Sequence, residues 1–250
     1  VTYDSRGAGA STVPDATADY ALELLAGDLF AVVDAVSPDR PVHVLAHDWG
    51  SLQAWEAVCE PRAEGRIASL TSTSGWCLDH LGHWMRRNLR HPTWSGLGRA
   101  FTQMAASFYA VLFHVPVLPE WVTGRVLAPI WPVCVSLFDG TDRALVQPAD
   151  TIGRDAANGL RLYRANTRDR MSGPRDRSTG LPVQLVVNTR DRAVLPFGFE
   201  ETPRWVPDLR RTEIRAGHWS PISHPAELAA RTAEFIADVI ARGDGASETA

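Results

Sequence analysis

The sequence His-Asp-Trp-Gly at residues 47–50 constrains the fold of this 250-residue chain more than any other stretch. It follows an apolar run at residues 41–46 and precedes a helical pattern at residues 52–58. A strand, a tight turn between small residues and a helix form the context of a nucleophile elbow, which lifts one side chain above the end of the strand. The residue at the tip of this turn is Asp48, where hydrolases of esters and peptides usually carry serine.

The composition is that of an ordinary globular chain. Hydrophobic residues make up 45% and charged residues 22%, and the net charge is -4 at pH 7, which gives no basic surface for nucleic acid or anionic membranes. Neither a signal peptide nor an apolar run long enough to span a membrane is evident from the sequence. The three cysteines form no CxxC pair, so we expect buried, inert thiols and a cytoplasmic protein.

Strand-like runs bounded by turn residues predict five strands separated by helices. The runs lie at residues 1–4, 42–47, 67–72, 183–188 and 211–215. Apolar residues at helical spacing predict helices at residues 20–36 and 225–241. This alternation of strand and helix predicts an α/β fold with a mostly parallel sheet.

Residues 76–179 break the alternation and are rich in tryptophan and proline. An insertion of this size predicts a helical cap over the carboxyl edge of the sheet, where open α/β sheets bind ligands. A plain helical subdomain with tryptophans in its own core is the alternative. We therefore divide the chain into a core (residues 1–75 and 180–241), the cap, and a small polar tail or linker at residues 242–250.

A nucleophile at an elbow needs a base and a group that orients the base, in the chain order nucleophile, acid, histidine. Asp191 follows the apolar run at residues 183–188, and His218 follows the next strand directly after Gly217. These two residues are the predicted acid and base. Asp79, in the loop after the strand at residues 67–72, is the rival acid.

We expect the other acidic residues and histidines near these motifs to have structural roles. Asp139 and Asp142, on either side of Gly140, are expected to form turns. His43 and His47, which flank the elbow strand, are expected to be satisfied by packing and backbone contacts.

An aspartate at the tip of the elbow changes the chemistry that the site can perform. A carboxylate is already ionised near neutral pH, so it can attack a saturated carbon and form an alkyl ester of Asp48. His218 is then free to activate a water that attacks the ester carbonyl, while Asp191 holds the imidazole. The main-chain N–H of Trp49 is expected to stabilise the oxyanion. Epoxides and alkyl halides are the substrates that suit this sequence of steps.

Two tyrosines bear on the choice between epoxides and halides. An epoxide needs a donor on its oxygen as the ring opens, whereas a halide needs weakly acidic N–H donors. Tyr109 and Tyr163 fall near the start and the end of the predicted cap. On the residues alone, a catalytic role and amphipathic packing stay equally open.

On these motifs the chain resembles the epoxide hydrolases of the α/β-hydrolase superfamily over nearly its whole length. Residues 3–11 resemble the D-x-R-G-x-G-x-S segment after the family's fourth strand, and residues 217–219 resemble its G-H-W loop. Tyr109 stands in the Y-x-x-x-F setting of the first cap tyrosine, with His114 where a glutamine often follows, and Tyr163 in the Y-R-x-N of the second. The resemblance implies that both tyrosines are catalytic and that an epoxide and water become a vicinal diol without metal or organic cofactor.

The resemblance also implies parts that this sequence lacks. The family places three strands before the segment at residues 3–11, and the loop after the third strand carries an H-G-x-P motif that supplies the second oxyanion donor. We therefore expect a fragment of a longer protein, poorly stable and weakly active by itself. Residues 38–43 resemble fusion proteins in which such a domain precedes a short-chain dehydrogenase, and that domain would lie outside this chain.

Two other functions stay open. A haloalkane dehalogenase shares the aspartate nucleophile and the elbow motif, and would be indicated by a halide-binding Trp or Asn in place of the tyrosines. A non-catalytic module of a larger protein is favoured by the missing strands and opposed by the intact Asp48, Asp191 and His218. A carboxylesterase is not expected, because Ser51 lies past the elbow tip. We expect the substrate to be a small apolar epoxide.

Overall fold

A four-stranded parallel sheet forms the centre of the computed structural model, which describes the backbone of residues 1–247 and the side chains of residues 1–243. The strands, in chain order and in spatial order, are β1 (Val42–His47), β2 (Ile67–Thr73), β3 (Val183–Asn188) and β4 (Leu209–Ile214). Each neighbouring pair is parallel. Every residue of β3 is buried, as expected for a strand that is covered on both faces of the sheet.

Ten α-helices surround the sheet or form the insertion within the described residues. The core helices are α1 (Leu22–Val36), α2 (Trp49–Val58), α9 (Ser220–Ser223) and α10 (Pro225–Ser247). The helices between β2 and β3 are α3 (Leu78–Arg90), α4 (Trp94–Ala106), α5 (Phe108–Leu112), α6 (Leu118–Trp121), α7 (Trp131–Asp139) and α8 (Ile152–Ser172).

The main hydrophobic core lies between the sheet and the helices that cross over it. Phe30 of α1 and Trp55 of α2 are each 1% exposed and pack with Leu70 and Leu185 of the two central strands. The indole N–H of Trp55 donates to Ser72 Oγ at 3.1 Å, so this buried donor has its partner. Helix α2 is thereby fixed against the sheet directly after the elbow.

Four of the five predicted strands are confirmed, and the strand at residues 1–4 is wrong. No other strand lies beside residues 1–4 in the part of the chain that the structure describes, so they have no ladder to join. They form a loop instead. The Asp4 carboxylate accepts the Ala10 N–H at 2.9 Å, and the Asp4 carbonyl accepts the Ser11 hydroxyl at 2.6 Å.

Strand β1 has a single neighbour, β2, among the described residues, and Leu45 on β1 is 49% exposed. The unpaired edge of β1 and the half-exposed side chain of Leu45 are consistent with the expectation that this chain is poorly stable. That expectation, like the weak activity of this chain, stays a prediction.

The insertion at residues 76–179 is helical, as predicted, and its last helix holds the N-terminal loop. The side chain of Asn166 in α8 accepts the Leu22 N–H and donates to the Tyr20 carbonyl, both at 2.9 Å. About two turns of α8 further back, Asn158 donates to the Gly7 carbonyl at 2.8 Å. These hydrogen bonds join the insertion to the core on the side of the elbow.

The tryptophans of the insertion do not form one core. Trp76 and Trp84 are buried, whereas Trp94 is 95% exposed and Trp121 is 59% exposed. Burial in a subdomain core therefore accounts for only part of these tryptophans, and the division into core, cap and tail stays a prediction.

One helical stretch of the described chain, Leu118–Asp139, is long and apolar enough to cross a membrane by length and composition alone. It passes from α to π to 3-10 geometry and back to α within its 22 residues. A single stretch of this kind is weak evidence for a span, so the expectation of no membrane span stays a prediction. At the carboxyl end, α10 continues to Ser247 through most of the predicted tail, and residues 248–250 lie outside the described residues.

Candidate active site

Asp48 occupies the sharp turn between β1 and α2. Its backbone has φ 49° and ψ −125°, a region that a residue with a side chain rarely adopts and that marks a strained functional turn. The Asp48 N–H donates to the Thr73 carbonyl at 3.2 Å, which ties the tip to the end of β2. Gly75 makes room for the turn, because a Cβ there would lie 2.6 Å from the Asp48 carbonyl oxygen. The turn has the geometry predicted for the elbow.

The structure brings the predicted nucleophile, base and acid together. His218 lies after β4, with Nδ1 3.0 Å from Asp191 Oδ2 and Nε2 3.7 Å from Asp48 Oδ1. Asp191 lies after β3 and is 4% exposed. Its second oxygen accepts the main-chain N–H groups of Ala193 at 2.8 Å and Val194 at 2.9 Å. The acid is thus fixed on both oxygens and orients the imidazole.

Asp79, the rival acid, lies elsewhere and is not near His218. It is 2% exposed and its carboxylate pairs with the Arg175 guanidinium at 2.9 Å, while also accepting the Arg175 N–H at 2.8 Å. Asp79 therefore joins the beginning of the insertion to its end through this ion pair.

Burial and the two carboxylates act in opposite directions on His218. Burial lowers its pKa, but the hydrogen bond to Asp191 and the contact with Asp48 outweigh it and raise the pKa of His218 to about 10. Burial likewise raises the pKa of Asp48, and the contact with His218 and its charge outweigh that effect and hold the pKa below its ordinary value. The main-chain N–H of Trp49 also favours the ionised form of Asp48. Before substrate binds, Asp48 is therefore a carboxylate and His218 beside it is an imidazolium.

Both predicted tyrosines face the same cavity as Asp48. The rings of Tyr109 in α5 and Tyr163 in α8 lie 6.0 Å apart and nearly perpendicular, and the Tyr163 ring meets the Trp49 ring edge-on at 4.8 Å. Burial, followed by the charge of Asp48, raises the pKa of Tyr109 to about 12. Burial also raises the pKa of Tyr163 well above its ordinary value. Both phenols consequently stay protonated near neutral pH and can donate a hydrogen bond.

The cavity between core and insertion has a volume of about 600 Å³ and is predominantly apolar. Of its lining residues, only Asp48 and Arg168 carry a formal charge. Its apolar wall includes all three methionines of the chain, together with leucine and valine side chains (Met85, Met104, Met171, Leu52, Leu78, Leu81, Val194). A cavity of this size accommodates a drug-sized apolar molecule.

The backbone of the His218 loop has supports that the sequence analysis missed or assigned to other roles. His47, expected to be satisfied by packing and backbone contacts, donates from Nε2 to the His218 carbonyl at 2.9 Å, and Ser74 donates to the same oxygen at 3.1 Å. Burial lowers the pKa of His47, which keeps this donor neutral. Asp139 lies in the expected turn, where it accepts the Thr141 hydroxyl at 2.6 Å, and it also accepts the Trp219 N–H at 3.1 Å. No motif in the sequence marks Ser74 or Asp139, because their partners are main-chain atoms.

The remaining expectations concern residues away from the reacting groups. Asp142 forms its predicted turn by accepting the Ala144 N–H at 2.9 Å, and His43 is satisfied by Ser69 Oγ at 2.8 Å. The three cysteines are free thiols. Burial raises the pKa of Cys59 to about 12 and that of Cys77 well above its ordinary value, so these two thiols are unreactive.

Comparison with known sequences identifies relatives for nearly the whole chain. The family model described as alpha/beta hydrolase fold matches residues 1–112. Probable oxidoreductase EphD of Mycobacterium tuberculosis is 41% identical over 241 residues, which are 94% of this chain and 40% of that protein. Bifunctional epoxide hydrolase 2 of Sus scrofa is 23% identical over 248 residues, which are 91% of this chain and 44% of that protein. The chain thus spans about two fifths of the length of these curated relatives.

Solved structures share the architecture. Bacillus megaterium epoxide hydrolase in complex with an inhibitor superposes with a TM-score of 0.72 at 16% identity, covering 93% of this chain and 82% of that one. A structure described under novel epoxide hydrolases in metagenomes from hot environments gives a TM-score of 0.63 at 21% identity, covering 93% of this chain and 79% of that one. At such low identity these likenesses establish the fold alone.

Proposed function

We propose that this chain, which has the α/β-hydrolase fold, belongs to the superfamily that shares it and converts an epoxide and water into a vicinal diol. One observation carries the proposal. The ionised carboxylate of Asp48 and the protonated phenols of Tyr109 and Tyr163 line the same apolar cavity. A nucleophile for carbon and donors for the departing oxygen are the two groups that opening an epoxide ring requires.

In the first step Asp48 attacks one carbon of the epoxide. The carbon–oxygen bond of the ring breaks, and the ring oxygen takes a proton from Tyr109 or Tyr163. The product is an ester of Asp48 that carries a neighbouring hydroxyl group. The weakly acidic phenols, which burial keeps protonated, stabilise the negative charge on that oxygen as the bond breaks.

The ester alters the charge around His218. Esterification removes the negative charge of Asp48, so one of the two groups that raise the pKa of His218 is lost. The imidazolium then gives up its Nε2 proton, which restores the tyrosine. Because Nδ1 faces Asp191 at 3.0 Å, Nε2 is the nitrogen left free to act as a base.

In the second step neutral His218 takes a proton from water, and the oxygen of that water attacks the carbonyl carbon of the ester. The main-chain N–H of Trp49, which directly follows Asp48 in the chain, donates to the oxyanion. The acyl carbon–oxygen bond then breaks, and His218 returns the proton to the leaving diol. The Asp48 carboxylate is regenerated with one oxygen from water.

The tyrosine pair supports an epoxide over an alkyl halide as the substrate. Halide departure needs no proton, whereas both phenols at this cavity are held in their protonated form. The compact arrangement of Asp48, Asp191 and His218 supports a catalytic chain over a non-catalytic module. The apolar wall of the cavity supports an apolar epoxide.

The whole protein is proposed to contain more than this chain. The relatives named probable oxidoreductase EphD are 41% identical to this chain, and the chain spans 40% of their length. That proportion and that name support the proposal that a dehydrogenase domain of the short-chain type accompanies this domain. A cytoplasmic location is proposed with it.

A single turnover in heavy-oxygen water tests the ester mechanism. Enzyme in excess over an apolar test epoxide should incorporate one heavy oxygen into the peptide that contains Asp48 and release an unlabelled diol. Label in the diol with none in that peptide, or diol formation that survives Asp48→Ala, would show direct attack by water and overturn the proposal. Rapid halide release from a matched chloroalkane would instead establish the dehalogenase alternative.

A further inference from the structure

The peptide unit that joins His218 to Trp219 is held at both of its polar ends. Its carbonyl oxygen accepts hydrogen bonds from His47 at 2.9 Å and Ser74 at 3.1 Å, both in the core. Its N–H donates to Oδ1 of Asp139 at 3.1 Å. Asp139 is the last residue of α7, so one end of this peptide unit is fixed by the core and the other by the insertion.

Asp139 is itself fixed in this position. The hydroxyl of Thr141, which is 2% exposed, donates to Oδ2 of Asp139 at 2.6 Å, so each carboxylate oxygen has one donor. Gly140 ends α7 in the left-handed conformation at φ 75°, which turns the chain back so that Thr141 faces the carboxylate.

The loop that carries His218 is shaped to receive this carboxylate. A Cβ at Gly217 would lie 2.1 Å from Asp139 Oδ1 and 2.9 Å from the Asp139 carbonyl oxygen. Any side chain at Gly217 would therefore push the two segments apart. At the other end of α7, the Trp131 ring meets the Trp219 ring edge-on at 5.6 Å, so the contact extends along the helix.

We propose that Asp139 is a positioning residue for His218, acting through the peptide unit that follows the histidine. The imidazole must reach a water above the ester carbonyl, and its direction depends on the orientation of its own main chain. Displacement of a catalytic group by about 1 Å can cost about 10²-fold in rate. Asp139 thus makes the alignment of the base depend on the docking of the insertion. Its kinetic consequence rests on the proposed epoxide hydrolysis.

Two substitutions separate the hydrogen bond from general packing. Asp139→Ala removes the acceptor, whereas Asp139→Asn keeps one amide oxygen for the Trp219 N–H. In single-turnover experiments Asp139→Ala should slow hydrolysis of the Asp48 ester by about 10²-fold and leave formation of the ester within about threefold of the parent. Asp139→Asn should restore most of the hydrolysis rate. Asp142→Ala, in the same turn but with no contact to the His218 loop, is the control and should leave both rates unchanged.

A measurement without substrate distinguishes failure of this proposal from failure of the proposed function. Nuclear magnetic resonance of the free protein with labelled histidine follows the His218 ring signals directly. Asp139→Ala should shift or broaden those signals and Asp139→Asn should preserve them, even if no epoxide is turned over. Unchanged His218 signals in Asp139→Ala would overturn the proposal. The proposal would also be overturned if Asp139→Ala slowed ester formation and ester hydrolysis equally and Asp139→Asn restored neither rate. Such a result would show that Asp139 has a purely structural role.

Discussion

Nε2 of His218 lies 3.7 Å from Oδ1 of Asp48, farther than a hydrogen bond and within the range of an ion pair. The opposite nitrogen of the same ring is 3.0 Å from Asp191, so the acid and not the nucleophile sets the orientation of the imidazole. The Asp48 carboxylate is stabilised by the positive charge without being tightly bound to it. Such an arrangement leaves the carboxylate oxygen free to attack carbon and leaves the base in place for the second step.

Replacement of the base should separate the two steps. In His218→Gln the carboxylate of Asp48 is still present and the tyrosines still face the cavity, so the ester should form. Without a base its hydrolysis should slow by about 10²–10⁴-fold. Intact-protein mass spectrometry after addition of an apolar epoxide should show a stable adduct equal to the mass of the epoxide, located on the peptide that contains Asp48.

The matched control for this experiment is the same variant with Asp48→Asn added. This double variant keeps the cavity but lacks the nucleophile and should gain no mass. An adduct on any residue other than Asp48, or steady diol release by His218→Gln, would contradict the assignment of these two residues.

The tyrosines should affect the first step alone. Tyr109→Phe and Tyr163→Phe each keep the ring and its aromatic contacts, including the edge-on contact of Tyr163 with Trp49. Each loses a proton donor, so the rate of ester formation should fall by about 10²-fold and the double variant should fall further. Stopped-flow tryptophan fluorescence can follow the step, because the Trp49 ring lies 4.8 Å from the Tyr163 ring. A change confined to ester hydrolysis would argue against proton donation by these residues.

Two buried aspartates offer a direct comparison of catalytic and structural roles. Asp191→Asn removes the charge that holds the imidazole and should lower the rate of ester hydrolysis by about 10²–10⁴-fold. Asp79→Asn instead removes the charge that faces Arg175, which keeps its pair with Glu56, and should lower the free energy of unfolding by about 1–2 kcal/mol. Urea unfolding and single-turnover kinetics on both variants check the assignment. If the folded Asp79→Asn variant lost ester hydrolysis while the Asp191→Asn variant stayed active, Asp79 would be the catalytic acid and Asp191 the structural residue.

The sheet was predictable because its strands are short runs with turn residues at both ends, and β1 and β3 are mainly apolar. β1 and β3 begin and end at the predicted residues, and β2 is one residue longer than predicted. The convergence of Asp48, Asp191 and His218 was predictable for a related reason, because parallel strands bring their carboxyl ends to one edge of the sheet. Asp48, Asp191 and His218 each follow such a strand.

What the sequence did not predict depends on tertiary partners. Residues 1–4 have the composition of a strand, but strand formation needs a neighbour, and none lies beside them among the described residues. Asp139 stands in a pattern typical of a turn, and only the packing of α7 against the His218 loop places its carboxylate on the Trp219 N–H. Contacts from a side chain to a distant main-chain atom leave no motif in the sequence.

The stability of the folded chain should fall as His218 loses its proton. The pKa of His218 is raised from an ordinary value of 6.5 to about 10 by Asp191 and Asp48 against the effect of burial, so folding favours the protonated form. This contribution is fully present below the pKa of the unfolded chain and is lost as the pH rises through the folded pKa. The pKa of Asp48 is lowered, so its own contribution is present above its unfolded pKa and is lost in acid. Together the two groups stabilise the fold most in the range between their unfolded pKa values.

Urea unfolding from about pH 6 to about pH 10 measures this effect. The difference in unfolding free energy between the parent chain and His218→Gln should shrink steadily across that range, because groups common to both proteins cancel. Asp48→Asn removes one of the two carboxylates beside the imidazole, so in that variant the loss of stability should move to lower pH. If the difference in unfolding free energy between the parent chain and His218→Gln stays constant or grows as the pH rises, His218 is neutral in the resting protein.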